Sequence, residues 1–181
     1  MSRLPAIEPR DDAEVAAGFE HIQRTRGTVS NVLRSFAHAP EGLRAFAAYG
    51  EYVRYHTGLA GRLRELTILA LARGKQYAWT HHAPFALREG VTRAELDALN
   101  AGELAPTLSE QERAAIAYAG EFANGGQVSD ATFASSRELF GPRGVTDLTL
   151  LCGYFIALAF AINAFGIPLE PDRAPLMKPV T

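Results

Sequence analysis

The densest group of chemically capable side chains in the 181-residue sequence lies at positions 62–82, RLRELTILALARGKQYAWTHH. It holds Arg62, Arg64, Glu65, Tyr77, Trp79, His81 and His82, with Phe85 close behind. A carboxylate set against an imidazole makes an acid–base pair: the carboxylate orients the ring and raises its basicity, and the ring moves a proton. Glu65, His82, Tyr77 and His81 are therefore the candidate catalytic groups. On a helix, Tyr77 and His81 are four apart and share a face, as do Ala78 and His82. Adjacent histidines sit about 100° apart on a helix, so at most one faces Glu65, and the pattern leaves open which. Trp79 and Phe85 would form an apolar wall, and Arg62 or Arg64 could hold a substrate carboxylate through a bidentate contact. Plainer readings stand beside these. Glu65 can be an ordinary first-turn glutamate settled by the helix dipole, and a lone histidine is commonly a surface or satisfied core residue.

Other chemistries fit poorly. The sequence contains no HExxH, HxE…CxxC or EF-hand spacing, so no resident metal is expected. Glu65, His81 and His82 could contact a metal in principle, but their spacing implies no ligand face. A glycine-rich phosphate loop and a GxSxG elbow are both missing, and no cofactor is expected. Gly125-Gly126 follows no strand and reads as a turn. Cys152 is the single cysteine, which excludes an internal disulfide or a CxxC dithiol. It lies in an apolar run and reads as a small core residue rather than a nucleophile. Eighteen basic against twenty acidic residues leave a formal charge of −2, which offers no field for nucleic acid.

The elements that must position these groups read as helices. Asp11-x-x-Glu14, Thr92-x-x-Glu95 and Ser109-x-x-Glu112 fit the capping-box pattern. Periodicity places helices at 12–24, 31–38, 41–55, 62–73, 76–89, 93–100, 110–124, 130–140 and 145–165. Gly90, Gly102, Gly125-Gly126 and Gly166 follow helix ends, where a left-handed residue is wanted. No stretch alternates with period two between hairpin turns. The expected fold is all-α, a single domain with an arm and first helix over 1–30, a helical core over 31–170 and a tail over 171–181. The proline-rich tail reads as an extended arm suited to lie on a neighbouring subunit. Residues 148–169, LTLLCGYFIALAFAINAFGIPL, carry no charge and are long enough to span a membrane. Thr149, Gly153, Tyr154 and Asn163 inside the run, and the absence of a flanking basic cluster, favour a helix buried in a core or subunit interface, so no membrane is expected. With 48% hydrophobic residues the chain is not disordered, and a polar start with one cysteine points to the cytoplasm.

Two segments carry a resemblance. Arg64-Glu65-Leu66 opening an apolar helix, then Tyr77-Ala78-Trp79-Thr80-His81-His82 running on to Gly90-Val91, is similar to the carboxymuconolactone decarboxylase family, whose members share the AhpD-like all-helical fold. The closing segment from Tyr154 to Asn163-Ala164-Phe165-Gly166-Ile167-Pro168-Leu169-Glu170 is also similar, so the resemblance covers roughly residues 31–170. It implies an AhpD-like helical bundle and a homo-oligomer, commonly a trimer or hexamer. His82 matches the family's histidine and Glu65 its helix glutamate. The two cysteines of the peroxidase members fall on Lys75 and Ala78, so the dithiol activity is not implied. The decarboxylase members use no cofactor and act on lactone acids. The resemblance therefore implies a cofactor-independent lyase for a small carboxylate, lactone or aromatic-derived, with Tyr77 as a donor to the developing oxyanion. Two other readings remain: an AhpD-like redox protein that uses Cys152 with an external thiol, and a non-catalytic oligomeric binding protein.

Overall fold

In a computed structural model, which describes residues 2–178, helix starts follow the capping residues. Ten helical segments occur among the described residues, and no strand. A 3-10 turn over Pro9–Asp11 leads to α1 (Ala13–Arg26), α2 (Asn31–Arg34), a second 3-10 turn (Ser35–His38), α3 (Pro40–Tyr55), α4 (Gly61–Leu71), α5 (Gln76–Arg88), α6 (Arg93–Ala101), α7 (Glu110–Gly125) and α8 (Asp130–Phe165). The Thr92/Glu95 and Ser109/Glu112 boxes both close, each hydroxyl accepting the N3 amide and each glutamate accepting the cap amide. At α1 the cap is Asp12 rather than Asp11: its Oδ1 accepts from the amides of Glu14 and Val15 at 2.8 and 3.1 Å. The preceding 3-10 turn consumes Asp11, and Asp12 is the extended residue that a cap requires. The expected helix at 31–38 is a single α-turn that tightens into 3-10 geometry.

The described chain forms two compact units. The first comprises residues 2–56 and 157–172. Its core is Val15, Phe19 and Ile22 of α1 with Leu33, Leu43 and Ala47. Gly18 brings α1 close to α3, since a Cβ there would lie 3.2 Å from Leu43. Phe36 meets Phe46 edge to face at 5.0 Å. Asn31 donates its amide to Glu170 at 2.9 Å, tying the closing segment to α2.

Among the described residues the second unit comprises 57–156 and 173–178. Helix α4 runs through its middle, with every residue from Glu65 to Leu71 buried, as well as Leu63. It packs on α5 and α7. A helix that is apolar nearly all round must be enclosed, and α4 is. Two expected helices, 130–140 and 145–165, are one run of 36 residues broken at Gly141, whose φ of 66° and ψ of 174° are open only to glycine. Pro142 follows and fixes the restart. The apolar run falls on the second limb, where Leu148, Leu151, Cys152 and Tyr154 are fully buried. Contrary to the expected arm on a neighbour, residues 173–178 lie on their own unit. Leu176 donates its amide to Thr80 at 3.0 Å, and Lys178 pairs with Asp97 at 2.9 Å.

Arg62 at the head of α4 is held by both boxes. Its Nη2 reaches Glu95 Oε1 at 2.6 Å and its Nε reaches Glu112 Oε1 at 2.7 Å. This guanidinium is the first cause of Glu95's carboxyl being held down at about 2, helped by amide and hydroxyl donors from Thr92 and Thr107. Glu112 is lowered as well, by Ser109 and Arg62 acting against its burial. A carboxylate depressed on folding stabilises the fold above its unfolded value, and that contribution disappears as pH falls towards the folded value. Thermal melts should therefore show stability declining from about pH 4.5 down to about pH 2. Arg62→Met should destabilise the fold by about 3 kcal/mol, because two carboxylates lose their cation. It should also flatten that acid limb.

Candidate active site

Glu65 and His82 face each other across the α4–α5 packing. His82 Nδ1 lies 2.8 Å from Glu65 Oε2, and both residues are only 4% exposed. The pairing follows from placement: Glu65 lies one turn into α4, and His82 is in the middle of α5 on the face turned towards α4. With Glu65 ionised the carboxylate can only accept, Nδ1 carries the hydrogen, and the second ring nitrogen, Nε2, is the one not engaged by Glu65. Nε2 makes no hydrogen bond among the described residues. Phe155 of α8 stands edge-on to the His82 ring with centroids 4.9 Å apart, and Phe85 lies 6.0 Å away. Arg64 Nε is 3.7 Å from Glu65 Oε1, so a cation stands beside the dyad. The unit is a buried carboxylate–imidazole pair with aromatic neighbours, able to shuttle a proton where water is scarce.

The other expected site residues are distributed differently. His81 is half-buried and stacks on Tyr77 with centroids 4.5 Å apart. By helical spacing, His81 is about 100° and Tyr77 about 140° around α5 from His82, so the Tyr77–His81 pair serves another face. Trp79 is buried against Leu96 of α6 and Leu176 of the tail, around a pocket of about 200 Å³. Phe85 is exposed and carries the Arg88 guanidinium over its ring at 4.3 Å. Arg62 departs from the expectation of a substrate anchor, because its guanidinium is committed to Glu95, Glu112 and the Gly90 carbonyl. Arg64 is the arginine left next to the dyad. Sequence reasoning missed Phe155. The uncharged run containing it was read for burial, and its distance from His82 in sequence hid the contact. Among the described residues no group of His, Cys, Asp and Glu could hold a metal.

This all-helical arrangement is the AhpD-like fold. Several solved structures share it, among them an alkylhydroperoxidase AhpD core protein, an uncharacterized peroxidase-related protein from Ralstonia eutropha JMP134. That chain superposes with a TM-score of 0.78 at 22% identity, covering 97% of this chain and 98% of its own. A cysteine-to-alanine variant of the debrominase Bmp8, in complex with 2,3,4-tribromopyrrole, gives 0.78 at 16% identity over 94% of this chain and 95% of its own. An uncharacterized peroxidase-related protein from Silicibacter sp. TM1040 gives 0.77 at 21% identity over 94% and 93%. The Carboxymuconolactone decarboxylase family model matches residues 40–121, the stretch that contains both Glu65 and His82. No curated protein sequence matches the chain.

Cys152 is unsuited to the thiol chemistry that peroxidase-type relatives suggest. It is fully buried, and desolvation pushes its thiol up to about 12. This overturns the reading of an exposed Cys152 acting with an external thiol. In the native protein at pH 8, Cys152 should resist a thiol reagent and react at the rate of a free thiol only once the chain is unfolded in denaturant. Rapid native labelling would contradict the buried placement.

Proposed function

We propose that the protein is a cofactor-independent lyase of the decarboxylase type, acting on a small unsaturated carboxylate through His82 and Glu65. The observation that carries this reading is the buried 2.8 Å Glu65–His82 contact with Nε2 left unbonded. Decarboxylation beside an unsaturated lactone or conjugated carbonyl breaks the bond to the carboxyl carbon and releases CO₂. The electron pair stays behind as a dienolate, which must then take a proton on carbon. Protonated His82 gives that proton from Nε2, Glu65 stabilises the imidazolium before transfer, and water restores the proton afterwards. Arg64 is the group placed to draw an anionic substrate to the dyad. Phe85 and Phe155 favour a flat, unsaturated substrate. The debrominase of the same fold binds a halogenated pyrrole, which supports a small unsaturated ring as the substrate type.

The test is a screen of unsaturated lactone acids and keto acids for CO₂ release, followed by variants on any hit. His82→Ala and Glu65→Gln should each lower turnover by roughly 100-fold or more while the fold is kept. His82→Ala with full turnover would sink the acid–base role. Arg64→Gln should act mainly on KM.

We also propose a homo-oligomer. In the most apolar 18-residue window of α8 only 39% is buried within one chain, and Phe160 is 71% exposed. A surface of that kind is ordinarily covered by a partner. Light scattering should give a particle larger than 19.6 kDa, and Phe160→Lys should reduce it towards that mass. A wild-type monomer would refute the proposal.

A further inference from the structure

At the end of α4 the turn into α5 opens on a surface pocket of about 470 Å³. Three cationic side chains line it: Arg73 and Lys75 from the turn, and Lys178 from the tail laid across α6. Asn100 and Asn124 supply amides, and no carboxylate is part of the lining. In a chain with a formal charge of −2, that is a local concentration of positive charge which overall composition does not produce.

The cations are not spent on the protein's own acids in equal measure. Lys178 is neutralised by Asp97 at 2.9 Å. Lys75 makes one bond, to the Leu71 carbonyl at 2.6 Å, and is half-buried. Desolvation lowers its ammonium below the ordinary lysine value, the shift that a bound anion would offset. Arg73 makes no hydrogen bond or ion pair among the described residues. Its guanidinium nevertheless has a defined place beside Gly102, where a Cβ would come within 2.5 Å of Nη2. Gly102 ends α6 at φ 88°, so a glycine suited to that cap also leaves room for the arginine.

We propose that this pocket binds a small molecule bearing two or more anionic groups, with Arg73 taking one group in a bidentate contact and Lys75 the other. A pocket of this volume admits a molecule the size of a short polycarboxylate or a diphosphate, and paired arginine and lysine suit both. The site is separate from the Glu65–His82 dyad. Binding there does not depend on the reaction proposed for that dyad.

Isothermal titration with citrate and with pyrophosphate, in about 0.15 M salt so that diffuse attraction is screened, tests the proposal and separates carboxylate from phosphate ligands. At least one probe should bind saturably with a Kd of about 1 mM or tighter. Arg73→Gln/Lys75→Gln should weaken that binding roughly tenfold or more while still melting cooperatively as a folded protein. His82→Ala should bind like the wild type. Arg44→Gln/Arg137→Gln makes the same change in net charge elsewhere on the surface and should also bind like the wild type. The proposal is overturned by no saturable binding of either probe at that salt, by undiminished binding in the pocket variant, or by an equal loss in the surface-charge variant.

Discussion

Arg62 is the residue on which the second helical unit converges. The two glutamates that close capping boxes at the starts of α6 and α7 each turn an oxygen to the guanidinium at the head of α4. One cation therefore fastens three helix N-termini at one place. Each of these ends carries a partial positive charge and unpaired amides, so gathering them would be unfavourable without the carboxylates between them. Each glutamate serves two purposes, capping its own helix and neutralising Arg62. The depressed carboxyl of Glu95 is the electrostatic record of that arrangement. Pinned in this way, α4 has a fixed rotation about its axis. Glu65, three residues along from Arg62, is carried inward to His82 and cannot turn to solvent.

That inward turn has a chemical consequence. A glutamate among Leu63, Leu66 and Leu69 would carry a heavy desolvation penalty if it stood alone. His82 offsets the penalty with a hydrogen bond, and the bond in turn selects the ring's tautomer. The same contact thus settles a buried charge and leaves Nε2 available. Phe155 closes the ring's face with an aromatic edge, which restricts rotation and keeps the imidazole aligned. Here one ring nitrogen is committed to the carboxylate and the other makes no hydrogen bond among the described residues.

Much of this was legible in the sequence, for identifiable reasons. The helices were readable because their starts carry local chemistry: the Thr92 and Ser109 boxes need no knowledge beyond three residues ahead. The gap expected between 140 and 145 coincides with the break at Gly141-Pro142, where glycine and proline act through their own backbone. Glu65 and His82 were readable as partners by type, but the choice between His81 and His82 was not, since it depends on the rotation of α5 against α4. Arg62 was misread because its partners lie 33 and 50 residues away and a charge in sequence does not announce what neutralises it. The tail was misread for a related reason. Its proline content announces an extended chain, while Thr80 and Asp97, which hold it in place, are 96 and 81 residues distant.

Helix α5 shows how one short element can serve several surroundings without mixing them. Residues in steps of three and four stay on one stripe, so Lys75, Ala78 and His82 run down a single side, with the small Ala78 between the two functional side chains. Lys75 bonds the last turn of α4 while His82 bonds its first, so the two helices are joined at both ends by polar contacts and by apolar packing between. Trp79 points to α6 and the tail, and Tyr77 with His81 forms a third face. The adjacent histidines, ambiguous as a pair in sequence, are resolved by this division: a rotation of about 100° gives one a carboxylate and the other an aromatic ring.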